Sequence, residues 1–117
     1  MKHKVSELSG ALLDAAVAKA EGDALPNFWR DPEDGTCWTR PGREEWVPSC
    51  RWDQGGPLIE RERISLNASD KPHKRDPWVA TVDQPDDGAG VGYGPTPLIA
   101  AMRAYVASRL GQEVDLP

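Results

Sequence analysis

Glu60, Arg61, Glu62 and Arg63 form an unbroken run of alternating acid and base, in the stretch "GGPLIERERISL". Two carboxylates can share acid–base work only when burial or a like charge held close drives their pKa values apart. Here each acid has an arginine beside it, which keeps both ionised. The run therefore reads as a self-compensated, solvated face, and a catalytic base at Glu60 or Glu62 would require a deep pocket around the carboxylate. The glycines before it lack the Lys-Ser/Thr tail of a phosphate loop and read as a helix entry.

"GVGYGPTP" is the second candidate. Glycines leading into a helix N-terminus can bind phosphate through backbone N–H groups. Pro95 and Pro97 remove two of those donors, no lysine follows, and Asp83, Asp86 and Asp87 would repel an anion. The segment reads better as a structural loop feeding a capped helix. The third candidate is a cluster of indoles: Trp29, Trp38, Trp46 and Trp52, with Phe28. Exposed together, these would make a groove for a proline-rich peptide, a sugar or a stacked base; packed inward, they would fill a small core. Ser49, Ser65, Ser69, Cys37 and Cys50 have no histidine placed to activate them. His3 lies in a tail and His73 in the mixed-charge loop "DKPHKRDP".

The elements that must hold these residues are legible at both ends. In "GALLDAAVAKAE", Leu13, Ala16, Val17 and Ala20 share a stripe with Leu12 beside it. Ser9 stands before it as a cap, Gly22 ends it, and Leu8 and Leu13 can form a hydrophobic staple. In "GYGPTPLIAAMRAYVASRLG", Thr96 is the cap, Pro97 the first helical residue and Gly111 the stop. Ile99, Met102, Val106 and Leu110 form its apolar stripe, widened by Leu98 and Tyr105, with Arg103 and Arg109 flanking it toward solvent. Between the helices, "NFWRDPEDGTCWTR" predicts a hairpin pairing about 27–31 with 36–40 around "PEDG". "PWVATV" predicts a strand with Trp78, Ala80 and Val82 on one face, and "DQPDDGAGVGYG" after it reads as a mobile acidic loop. Residues 58–66 as a strand would put Glu60 and Glu62 on the face of Leu58, Ile64 and Leu66. A short helix over about 54–63, followed by an extended "ISL", fits better. The fold class that results is α+β: a small antiparallel sheet packed against N- and C-terminal helices, with a short third helix, in a single domain over 1–117.

The bulk numbers agree. The chain has 117 residues, of which 38% are hydrophobic and 28% charged, with 11 Gly and 11 Pro. That suits one loop-rich domain with a small core. No apolar run approaches the ~20 residues of a membrane span, and "VSELSGALLD" after the basic "MKHK" is no secretory core segment. Two cysteines and two dispersed histidines do not suit zinc, and a reducing compartment favours free thiols. The net charge of −5 lies in two segments: 23–50, with three bases against six acids, and 67–94, with three against five. No segment is basic enough to track a phosphate backbone, which argues against nucleic acid.

Three blocks, "VSELSGALLDAAVAKAEG", "WDQGGPLIERERISL", and "WVA" followed by "GPTPLIAAMRAYVASRLG", resemble the small phage and prophage proteins of unknown function called NinX-like. The order of helix, "WD" helix entry and terminal "TPLIAAMRA" helix is distantly similar to phage helix–sheet–helix sandwich domains. The segment "DPEDGTCWTRPGREE" is the part least like that pattern. The resemblance implies a phage accessory protein in the host bacterial cytoplasm and carries no activity, cofactor or site residue with it. The residues point to a non-catalytic protein-binding module acting through Trp38, Trp46, Trp52, Glu60, Arg61, Arg63 and Tyr93, with the three tryptophans on one exposed patch, and the resemblance implies that the partner is a phage or host protein. A nucleotide or single-strand nucleic-acid binder using exposed indoles and the 90–97 loop is the alternative. No catalytic residue, metal or cofactor is expected, and the oligomeric state is left open.

Overall fold

The structure is a computed structural model that describes residues 2–22, 29–30, 38–39, 45–69, 76–82 and 90–116. Its elements run β1 (Lys2–Lys4), a single 3-10 turn (Val5–Glu7), α1 (Gly10–Ala20), β2 (Trp29–Arg30), β3 (Trp38–Thr39), β4 (Glu45–Trp46), α2 (Trp52–Glu62), β5 (Ser65–Ala68), β6 (Trp78–Thr81), β7 (Val91–Gly94), α3 (Pro97–Leu110) and β8 (Glu113–Asp115). The class is α+β, with a helix near each end, one in the middle and antiparallel strands between and around them.

The best-specified element is α3. Thr96 Oγ1 accepts from the Ile99 amide at 3.1 Å, Pro97 opens the helix, and the Gly111 amide closes it on the Ala107 carbonyl at 3.0 Å. The cap satisfies a donor that the helix itself cannot. A single apolar stripe was expected, yet α3 is buried nearly all round, including Leu98, Tyr105 and every residue of 100–107. It is the central rod of the molecule. The sheet β5–β6–β7 covers one side of it, and α1 and α2 pack on it as well.

Arg103 is accordingly not turned to solvent, as its flanking position suggested. It is buried; its Nε donates to the Leu8 carbonyl at 2.9 Å and its Nη1 to the Tyr93 carbonyl at 2.7 Å, with Asp76 Oδ1 3.7 Å away. Burial lowers its pKa. The side chain supplies donors to carbonyls at the entry of α1 and on β7.

Residues 91–94 are likewise not a loop but the strand β7, while 83–89 lie outside the described residues. Glycine is a poor strand former, and close packing explains its presence here. A Cβ on Gly92 would collide with the Ala100 carbonyl and the Ala104 amide, and one on Gly94 would lie 2.7 Å from the Ala100 nitrogen. The glycines of "GVGYG" let α3 lie directly on the sheet. They are not open to a phosphate.

The sheet is antiparallel throughout, with rows Ser65–Thr81–Val91, Leu66–Ala80–Gly92, Asn67–Val79–Tyr93 and Ala68–Trp78–Gly94. As expected, Trp78, Ala80 and Val82 share a face, and it is the face turned to α3. The predicted hairpin arms pair as Trp29 with Thr39 and Arg30 with Trp38, and β4 adds a third strand through Trp38–Trp46. Its turn lies outside the described residues.

One pairing had no sequence signal. Residues 2–4, taken for a tail around His3, form β1 and pair with β8 as Lys2–Asp115, His3–Val114 and Lys4–Glu113. Opposite charges stand across the two outer rungs, a favourable cross-strand arrangement. Helix α1 begins after Ser9, whose side chain makes no capping bond, and is buried at Ala11 and throughout 13–18. Leu8 and Leu13 lie in the same core cluster, and the alanines bring the helix close to α3. Among the described residues, no helix is long and apolar enough to cross a membrane.

Candidate functional site

The site is built on α2. The helix starts two residues earlier than its sequence signals suggested, so Pro57 falls inside it, and the bond that an N–H at 57 would make is forgone. It stops at Arg63, which takes a left-handed conformation (φ 55°, ψ 49°), and the Ile64 amide returns to the Ile59 carbonyl at 3.0 Å. This stop redirects the chain into β5. Gln54, Gly55 and Leu58 face inward, while Trp52, Asp53, Pro57, Glu60 and Arg61 are exposed. Gly55 is pressed against its neighbours: a Cβ there would sit 2.6 Å from the Pro48 carbonyl and 2.7 Å from Leu98 Cδ2. Gly56 has nothing within 4 Å of that position.

The run of alternating charge splits in two. Arg61 forms a fork to Glu21, just past the end of α1, with Nη1 donating to Oε1 at 3.0 Å and Nη2 to Oε2 at 2.6 Å. Its Nε donates to Glu62 Oε2 at 2.9 Å, and Arg109 Nη2, in the last turn of α3, donates to Glu62 Oε1 at 2.8 Å. Tyr105 lies at the centre. Its hydroxyl donates to Glu21 Oε2 and accepts from Arg61 Nη2 at 3.1 Å. The two guanidinium carbons stand 5.8 and 5.5 Å from its ring centroid. Three helix C-terminal ends thus meet in one network, where cations are favoured by the helix dipoles and the ring faces.

The electrostatics follow from this geometry. Burial pushes the Glu21 carboxyl upward, but its bonds from Arg61 and Tyr105 outweigh that and hold it below the usual carboxylate value. The Arg109 guanidinium holds Glu62 low despite its burial, with help from Arg61. Arg61 is raised by its bonds to Glu21 and Glu62, and Arg109 by its bond to Glu62. Burial and the Glu21 carboxylate push the Tyr105 phenol up to about 12. Both carboxylates stay ionised and bonded, which is the opposite of what an acid–base pair needs.

Beside this network runs a groove of about 310 Å³, lined by Glu21, Trp46, Asp53, Gln54, Pro57, Leu58 and Arg61. One wall is rigid. Trp46 Nε1 donates to the Asp14 carbonyl at 2.8 Å; Gln54 Oε1 accepts from the Val47 amide at 2.7 Å, and its Nε2 donates to the Glu45 carbonyl. Asp14 itself is buried, with Oδ1 accepting from the Ser49 amide at 2.9 Å. Burial pushes its pKa up to about 6 against the lowering effect of the Ser49 bonds. Cys50 next to it is a free, exposed thiol whose pKa burial and the Asp14 and Glu45 charges raise, which makes it a weak nucleophile at neutral pH.

The residues expected at the site are therefore distributed. Trp46 is buried at 4% exposure, which corrects its placement on an exposed patch: its indole N–H has a backbone carbonyl to bond inside the core. Trp52 is 54% exposed. The Trp38 side chain lies outside the described residues. Glu60 and Arg63 are exposed on α2, and neither makes a hydrogen bond or ion pair with a described residue. Arg61 belongs to the network. Tyr93, 38% exposed, stands on the outer face of the β5–β7 sheet, away from α2. Sequence reasoning missed Asp14, Glu21 and Gln54. The signal for Asp14 was an acid in an otherwise apolar run of α1, a position that must be either exposed or bonded.

Taken together, the molecule is an α+β protein with a central buried helix, in which Glu21, Arg61, Glu62 and Arg109 are engaged with one another. Residues 4–109 match the family model described as Bacteriophage P22, NinX, and the chain belongs to that family. No curated protein matches the chain.

Proposed function

We propose that this phage protein is a non-catalytic accessory factor that works in the host cytoplasm by binding another protein, of the phage or of its host, through the outward side of α2. The observation that carries the reading is the contrast along one helix. Trp52 stands 54% exposed, about two turns before Glu60 and three before Arg63, neither of which pairs with a described residue, with the side-chain-free notch of Gly56 between them. An exposed indole beside a notch, flanked by charges with no partner among the described residues, has the composition of an interface anchor and its polar rim. An exposed helical glycine costs about 0.5–1 kcal/mol relative to alanine, and no packing within the described residues requires one at 56.

The nucleic-acid reading loses its second support, because the segment around 90–97 is a strand and helix entry with its glycines under α3. The test is capture from phage-infected host extract by the wild type and by Trp52→Ala, Glu60→Arg and Arg61→Gln. A specific band that is lost with Trp52→Ala and Glu60→Arg, while both variants melt like the wild type, supports the proposal. Equal capture by wild type and Trp52→Ala removes it.

A further inference from the structure

The ribbon of β1 and β8 shares no residue with the α2 surface, and its two edges differ. The Val5 amide donates to the Gln112 carbonyl at 2.9 Å, and the same register sets His3 opposite Val114. Antiparallel rungs alternate between bonded and non-bonded pairs, so Val5–Gln112 and His3–Val114 are the bonded ones. The backbone groups of Lys2, Lys4, Glu113 and Asp115 therefore point out of the ribbon. On the β8 side, Lys19 Nζ of α1 donates to the Asp115 carbonyl at 2.8 Å, which agrees with that direction and ties the edge to the helix. On the β1 side, the N–H and C=O of Lys2 and the N–H of Lys4 meet no partner among the described residues.

This open edge adjoins a groove of about 400 Å³, to which β1 contributes Lys2, His3 and Lys4 and the start of α1 contributes Leu8 and the half-buried Leu12. Side chains alternate along β1. Val114 is 4% exposed, so its rung partner His3 lies on the inward face, while Lys2 and Lys4 are exposed on the outward one. A strand laid along the edge would place one residue inward beside His3 and two outward beside Lys2 and Lys4. Lysine favours an acid as its cross-strand neighbour. Glu7, which also lines the groove, disfavours an acid there and leaves the inward position to an apolar side chain. A second copy of β1 would set lysine against lysine, so the edge is guarded against self-pairing and open to an acidic strand.

We infer that β1 receives an extended segment of another protein as a third strand, with acids beside Lys2 and Lys4 and an apolar residue between them facing Leu12. Main-chain bonds to the edge would hold such a segment, and the alternating side chains would select it.

The test titrates the full chain with a short blocked peptide of alternating glutamate and valine, up to about 2 mM, a range suited to a few main-chain bonds. Backbone amide shifts should move at residues 2–4, and solvent exchange of the Lys4 amide should slow by about tenfold at saturation. A peptide with lysine in place of glutamate should bind about tenfold more weakly, and one N-methylated along its backbone should not bind. Lys4 has φ −74° and ψ 126°, values open to proline. Lys4→Pro thus keeps the backbone, removes the edge donor and should weaken binding by about tenfold, more than Lys4→Gln, which keeps the donor. Should Lys4→Pro melt early, the N-methylated peptide makes the same test on the unaltered chain. Amides at 2–4 that do not shift, equal binding of the acidic and basic peptides, undiminished binding of the N-methylated peptide, or a folded Lys4→Pro that binds like wild type would each overturn the inference.

Discussion

Arg61 and Glu62 leave α2 on one side and Glu60 and Arg63 leave it on the other, and the two pairs meet different environments. The first pair closes a network with Glu21, Tyr105 and Arg109, in which the Glu21 and Glu62 side chains are only 18% and 14% exposed. The second pair faces outward beside Trp52 with no internal partner among the described residues. Four adjacent residues of the same chemistry thus divide between holding three helix ends together and presenting a surface. Composition and local alternation cannot distinguish these roles. What distinguishes them is which side of a 3.6-residue turn each occupies, and what lies opposite.

The two glycines of α2 break the comparison most sharply. Gly55→Ala forces a Cβ against the Pro48 carbonyl at 2.6 Å and should cost about 2–3 kcal/mol, seen as a lower denaturation midpoint with the slope unchanged. Gly56→Ala meets nothing and should stabilise by about 0.5–1 kcal/mol while weakening capture of the partner. Should both destabilise alike, the outward side of α2 is not open as described.

Acid titration separates the network from the buried Asp14. Asp14 has a folded pKa of about 6 against an ordinary value of 3.8, so the native state holds its proton more tightly than the unfolded chain does. Its charge destabilises the fold above pH 6, by an amount on the order of 2 kcal/mol, and this cost is relieved as pH falls from 6 toward 4. Glu21 and Glu62 are held below their ordinary 4.5, so their stabilisation is present above that value and is lost as pH falls through their lower folded values. Urea unfolding should therefore show stability rising between pH 7 and 5 and falling below about 4.5. Asp14→Asn, which keeps an oxygen for the Ser49 amide, should flatten the first limb and leave the second. The smallest effect is expected at Arg63→Gln, within about 0.5 kcal/mol of the wild type in the same assay.

Much of the fold could be read in advance where a local signal and a tertiary contact agree. Thr96, Pro97 and Gly111 mark α3 because capping is a matter of neighbouring atoms, and "PWVAT" alternates because β6 has one face on α3 and one outward. Reading failed where a long-range contact set the outcome. Arg103 looks like a flanking surface cation until Leu8 and Tyr93 offer it carbonyls. "GVGYG" looks like a loop until Ala100 and Ala104 lie on its glycines. At the candidate site, balanced charge at 60–63 was legible, but its division was not, because Glu21 and Arg109 are far from it in sequence. The burial of Trp46 was equally hidden, since the indole is held by a carbonyl of α1 that lies 32 residues away.

The melting temperatures of Arg61→Gln and Glu60→Gln, measured side by side, test the division of the charged run most directly. Arg61→Gln removes the fork to Glu21 and the bond to Tyr105. After allowance for solvent at the half-exposed guanidinium, it should cost about 2 kcal/mol, a fall of about 8 °C. Glu60→Gln should stay within about 2 °C of the wild type. Equal melting of the two variants, whether both low or both unchanged, would contradict the account.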